Sequence, residues 1–222
     1  EGAGDRNRML KLAMMASKFC FFLLAIVAIP CIFEMKAILT LWLRNVPQHT
    51  VIFCQLILIG ALVNQLTIGL QSAIQATGQI KIYQIVVGSI ILFNLPAAYI
   101  LLKLSFPVYS VLIAYSVIEL IACLFRMYFL NRVAGLSISE YFNKVIKREI
   151  LPVCISILCC YFIVSNVDMS LRFLITCGVS LTTFIASVYL FGMEKEERVM
   201  VSNIVMNLKN KLRINNSQNN TL

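Results

Sequence analysis

The chain alternates long apolar runs with short polar stretches. Six runs stand out, at 12–33, 51–76, 80–102, 108–130, 150–167 and 171–191. Each comes close to or exceeds the ~20 residues that a helix needs to cross a bilayer, and none carries the strict alternation of a half-buried strand. The breaks between them fall on turn-forming residues: Pro47, Gly78 after Ala76-Thr77, Pro107, and Asn166 with Asp168. The pattern predicts an all-α transmembrane bundle of about six membrane-spanning helices. Pro30 and Pro96 are expected to kink the first and third of these, and Trp42 to anchor an extension of the first span, 34–44, in the outer interface.

Two shorter segments have a different periodicity. Ser137 and Glu140 have the spacing of a capping box, and Ile138, Tyr141, Phe142, Val145 and Ile146 recur at helical intervals against Asn143, Lys144, Lys147 and Arg148. An interfacial amphipathic helix with a basic face toward anionic lipid is expected here. Val201, Ile204, Val205, Leu208 and Leu212 make a similar stripe, and the polar tail 215–222 is expected to be disordered. The expected organisation is a cytoplasmic loop at 1–11, a four-helix core at 12–130, a cytoplasmic linker helix at 131–149, two further spans at 150–191 and a cytoplasmic tail at 192–222.

Composition strengthens the membrane reading. Hydrophobic residues make up 60% of the 222 and charged residues 13%, against about half and about a quarter in soluble domains. The net charge of +9 does not point to nucleic acid, because the basic residues sit between apolar blocks and form no basic face with interleaved aromatics. They do carry a topological signal. Fourteen of the 19 Lys and Arg fall on or toward one side of the expected spans and four (Lys36, Arg44, Lys103, Arg172) on the other, with Lys18 assigned to neither. Basic loops are retained in the cytoplasm, so both ends are expected there, which an even number of spans requires.

The candidate chemistry lies in polar groups that a bilayer disfavours. Lys18, Glu119 and Arg126 are ionisable residues within spans, and Glu119 and Arg126, seven apart, share a helix face. Lys18 and Arg126 could snorkel to the interface. Glu119 could serve ion coupling or substrate contact, or be held in a buried pair with a cation such as Lys18. If the three share a cavity, two cations outweigh one carboxylate and an anionic headgroup is favoured. Asn64, Thr67, Gln71 and Gln75, spaced three, four and four, form a polar face that either glues helices together or lines a wet path suited to sugar hydroxyls.

Other chemistries find little support. The eight cysteines lie in or beside apolar blocks without a CxxC, and His49 is the single histidine, so neither a metal site nor a disulfide framework is expected. No acid or histidine cluster suggests catalysis, no glycine loop cradles a nucleotide, and no cofactor is expected.

The run Gly4-Asp5-Arg6 to Lys11 before a long first span, the decapeptide Leu70-Gln71-Ser72-Ala73-Ile74-Gln75-Ala76-Thr77-Gly78-Gln79, the continuation Lys81 to Gly88, and Asn94-Leu95-Pro96 together carry a resemblance. Over 1–190 the chain resembles the C-terminal portion of bacterial polysaccharide (O-antigen and capsule) flippases of the multidrug/oligosaccharidyl-lipid/polysaccharide exporter superfamily. With its opening at Glu1 and no initiator Met, it is expected to be a fragment, the C-terminal lobe of a two-lobe transporter.

The resemblance implies a non-enzymatic protein of the bacterial inner membrane that flips undecaprenyl-pyrophosphate-linked oligosaccharide by alternating access. Its implied partners are membrane lipids, an N-terminal lobe of the same transporter and a polysaccharide polymerase. Lys18 and Arg126 would face the pyrophosphate, with Asn64, Gln71 and Gln75 toward the sugars. A cation-coupled multidrug exporter and a non-transporting membrane scaffold are the competing expectations.

Overall fold

A computed structural model describes residues 5–43, 45–167, 172–194, 196–203 and 206, and every described element is helical. Helix α1 (Arg6–Phe33) starts at Asp5, whose carboxylate accepts from the Arg8 amide at 3.0 Å. It tolerates Pro30 and ends one turn later, where α2 (Met35–Trp42) takes over; Trp42 is largely exposed, as an interface anchor would be. Helices α3 (Thr50–Gln65) and α4 (Ile68–Ala76) follow, then α5 (Ile80–Leu92) and α6 (Asn94–Lys103). Helix α7 (Ser110–Ala134) is stopped by Gly135, whose positive φ of 74° lets the Leu136 amide reach back to the Leu130 carbonyl. Helices α8 (Ile138–Tyr141) and α9 (Lys147–Asn166) and finally α10 (Arg172–Ser187) complete the set.

Among the described residues, five helices are long and apolar enough to cross a membrane: Arg6–Phe33, Ile80–Lys103, Ser110–Ala134, Ile138–Asn166 and Arg172–Gly192. The pair α3 and α4 makes a sixth if counted as one span, although its two halves meet at 42°. Hydropathy alone reads 51–76 as one run. The break at 65–68 contains no proline, so nothing in that run announces it.

The segment expected as a separate interfacial helix joins α9 through a π-helical turn, Phe142–Ile146. Ile138–Asn166 is therefore one long helix. Ser137 does cap it, accepting from the Glu140 amide at 3.3 Å. The stripe at 201–212 and the tail lie largely or wholly outside the described residues.

Helix α1 is the hub. It packs on α3 and α4 along one side and on α9 and α10 along the other, while α7 packs on α3, α5 and α6. Two apolar clusters follow. One gathers Leu10, Met14, Leu70, Ile74, Tyr83, Leu130, Tyr141 and Val145 near the start of α1, and the other Phe21, Phe22, Ala25, Ile29, Cys160, Phe184 and Val188 further along. Large side chains such as Leu23, Leu158 and Phe162 point outward and are about 70% exposed (72%, 68%, 69%), the surface a hydrocarbon environment would cover.

Close approach of α1 and α4 depends on small residues. A Cβ on Gly69 would lie 2.1 Å from the Ala13 carbonyl oxygen and 2.7 Å from the Ser17 amide nitrogen. Ala13 and Ser17 face Gly69 and Ala73, each pair four residues apart, so two backbones meet where no larger side chain fits.

Candidate functional site

The break between α3 and α4 costs backbone hydrogen bonds, and carbonyls stranded in a membrane-spanning segment must find partners. Two carbonyls and one amide at the break find theirs on three other helices. Cys123 of α7 approaches the Val63 carbonyl at 3.3 Å through its thiol, and the Tyr141 hydroxyl donates to the Leu66 carbonyl. On the far side of the break, the Gly69 amide donates to Ser17 Oγ of α1 at 3.0 Å. Cys123 is thus more than apolar filler, and all eight cysteines are free thiols.

Around this break sits a buried ionic node. Arg126 Nη2 pairs with Glu119 Oε1 at 3.0 Å, and both side chains are 3% exposed. The same carboxylate oxygen accepts from Asn64 Nδ2 at 2.6 Å. Arg126 Nη1 donates to Thr67 Oγ1 at 3.1 Å, and its Nε reaches the Tyr83 hydroxyl oxygen at 3.3 Å. Thr67 in turn sits 3.1 Å from the Cys123 sulfur. The node ties α3, α4, α5 and α7 together, with each charged group paired and hydrogen-bonded, the condition under which buried charge is tolerated.

The sequence-predicted residues therefore divide. Asn64, Glu119 and Arg126 come together, with Arg126 and not Lys18 as the cation facing Glu119. Gln71 and Gln75 lie beyond the break on α4, half-buried and exposed respectively, so the bend splits the amide row. Lys18 belongs to a different cluster: its Nζ lies 2.6 Å from Glu197 Oε2, with side chains 2% and 6% exposed. Neither Lys18 nor Arg126 snorkels to the surface.

The second cluster is at the start of α1. Glu197 also accepts from the Glu194 amide at 2.7 Å, capping the helical residues 196–203. At its rim Lys11 pairs with Glu196 at 2.6 Å and Arg148 with Glu194 at 3.2 Å. Lys11 holds the Glu196 carboxyl below the usual carboxylate range, through its hydrogen bond and its charge. Within the cluster lies Glu149, 1% exposed, with neither carboxylate oxygen hydrogen-bonded among the described residues.

A third pair closes the opposite end. Glu34, 1% exposed, takes Arg172 in bidentate fashion, Nε to Oε1 at 2.9 Å and Nη2 to Oε2 at 3.2 Å, and accepts from Thr176 Oγ1 at 3.0 Å. Sequence reading missed Glu34, Glu149 and Glu197 because each lies at the edge of an apolar run, where a charge is ordinary. The signal available for Glu34 was Arg172, an acid and a base at the same ends of neighbouring spans.

Comparison with family models, curated proteins and solved structures finds no match to this chain. The fold and its buried charges define a multi-helix protein compatible with a membrane, and a finer reading rests on the geometry above together with the resemblance in the sequence.

Proposed function

We propose that this chain is a lobe of a bacterial inner-membrane flippase that moves lipid-linked oligosaccharide from the cytoplasmic to the outer leaflet. The observation that carries the transport part is the broken span Thr50–Gln65 and Ile68–Ala76, with an ionic node built on its break. Discontinuous spanning helices and intramembrane ion pairs are typical of transport pathways, where a helix must yield and re-form as access alternates. Catalysis forms no part of this reading.

The cargo part rests on the decapeptide at 70–79 and on the amides. Gln71 and Gln75 lie beyond the break with some or all of their surface free, and amides match sugar hydroxyls. An undecaprenyl pyrophosphate headgroup would meet Arg126 and Lys18 only in competition with Glu119 and Glu197, so a change in helix packing must precede or accompany its binding. The 14-to-4 split of basic residues supports a topology with both ends of the chain in the cytoplasm, and this reading takes the second lobe, membrane lipid and a polysaccharide polymerase as partners.

The complete pairing at the node also favours one rival, a scaffold in which Glu119, Arg126 and Asn64 only fasten helices. Expression of the full-length gene in cells lacking their own polysaccharide flippase separates the readings. Restored surface glycan supports the proposal, and its loss in Gln71→Ala/Gln75→Ala at unchanged protein abundance supports the assigned contacts. Drug resistance without glycan would establish a cation-coupled multidrug exporter instead. Neither phenotype at normal abundance would leave the scaffold.

A further inference from the structure

Glu149 is the one acidic side chain among the described residues with both oxygens buried and neither hydrogen-bonded. An ionised carboxylate in that state costs several kcal/mol, and the usual resolution is to take up a proton. Its surroundings are specific. From α1, Lys18 supplies the charge that acts on it, with Lys11 further toward the rim. From its own helix come Tyr141, which Glu149 influences electrostatically, and Lys144, Lys147 and Arg148. The charged residue of α10, Arg172, lies at the opposite end with Glu34, and the turn 188–192 brings no charge, only Tyr189, whose ring stacks under Arg198. The segment after α10 brings Glu194, Glu196 and Glu197, and Lys18 is already bound to Glu197.

One lysine thus pairs with one buried carboxylate and acts through its charge on a second. We propose that Glu149 is a proton-binding site, filled while Glu197 holds Lys18 and emptied when Lys18 turns to Glu149. The exchange balances: the Glu149 carboxylic acid loses its proton to water, Lys18 keeps its charge and moves from one carboxylate to the other, and Glu197 carries its charge out with its segment. A cavity of about 30 Å³ lined by Lys18, Lys144, Val145, Glu194 and Glu197 has room for a water molecule beside the lysine. A metal ion fits less well, since it would need several oxygen donors and no three acidic, histidine or cysteine side chains among the described residues are placed to hold one.

The site also touches the break in the second span. Tyr141, one helical stretch before Glu149, donates to the Leu66 carbonyl at that break. In the transport reading of the protein, Glu149 is then the place where a proton gradient acts. The protonation itself does not depend on that reading.

The test is infrared titration of the full chain in lipid nanodiscs, following the carbonyl stretch of a protonated carboxylic acid as pH is raised. Wild type should show a titrating band that Glu149→Gln lacks. Glu197→Gln leaves Lys18 to Glu149 alone and should move the midpoint down by about 1–3 pH units, the effect of a cation at contact distance. Lys18→Met should move it up, which keeps the test decisive if Glu197→Gln fails to fold. A band that survives Glu149→Gln, or a midpoint indifferent to the Lys18 and Glu197 changes, would overturn the proposal. Because nothing exported is measured, this result and the surface-glycan result stand or fall separately.

Discussion

The two buried clusters contain the same kinds of side chain and solve the burial of charge in opposite ways. At the α3/α4 break, one arginine meets one glutamate, and an asparagine, a threonine and a tyrosine add hydrogen bonds to the pair. Beside the start of α1, one lysine meets Glu197 and leaves Glu149 without a hydrogen bond. A satisfied cluster holds a packing arrangement; an unsatisfied one can exist in two states of similar energy. The first therefore reads as the joint that fixes the bend, the second as the place where the arrangement can change.

The largest effect expected from this contrast is at the joint. Removing the cation in Arg126→Ala strands Glu119 at 3% exposure, a change that typically costs about 3–5 kcal/mol. Thermal unfolding in detergent and protein abundance should both fall. Glu119→Gln/Arg126→Met, which removes both charges, should recover much of the loss. If Arg126→Ala kept full stability and lost only export, Arg126 would be a substrate contact and not a joint.

Next in size is Gly69→Ala, which tests whether the α1–α4 contact is as tight as the backbone distances imply. The added methyl meets backbone atoms of Ala13 and Ser17, which cannot rotate away. Overpacking of this kind costs about 1–3 kcal/mol, visible as a lowered melting temperature. An unchanged value would mean that the two helices separate easily and that the joint is looser than its hydrogen bonds suggest.

How much of this was readable beforehand depends on which physical signal each feature leaves. Apolar runs mark the spans directly, because the length of a crossing is fixed by the bilayer. The shared face of Glu119 and Arg126 follows from their spacing of seven, and the expectation of a buried acid–base pair was right in kind. Lys18, one example of such a cation, pairs with Glu197 while Arg126 reaches Glu119, because helix packing, not sequence distance, decides which cation arrives. The break at Leu66 and Thr67 was invisible because its causes are tertiary: a thiol, two hydroxyls and a guanidinium from other elements hold it open. Glu149 leaves no signal because Lys147-Arg148-Glu149 looks like an ordinary charged helix start, and its burial follows from packing of its helix against α1 and α10.

Glu149→Gln sharpens the contrast from the other side. A glutamine keeps the shape and the uncharged state assigned to Glu149, so stability should change by on the order of 1 kcal/mol or less, far below the Arg126→Ala effect at similar burial. A loss as large as at the joint would show that the Glu149 charge has a partner and that the second cluster is as satisfied as the first.

The smallest effect belongs to the rim pair of Lys11 and Glu196, both solvent-exposed. Lys11→Gln should leave the melting temperature unmoved at physiological ionic strength, since exposed pairs are screened and contribute little. Its consequence is local and depends on pH with a definite sign. The folded Glu196 carboxyl lies below its ordinary range, so its contribution to docking is present above the ordinary carboxylate pKa of about 4.3 and is lost as pH falls through the lower folded value. Hydrogen exchange of amides in 196–203 should accordingly quicken on acidification in wild type at low salt, and Lys11→Gln should flatten that dependence. Were the flattening absent, the ionic part of the segment's docking would rest on Lys18 and Arg148, which would make the lysine that also acts on Glu149 its principal buried tether.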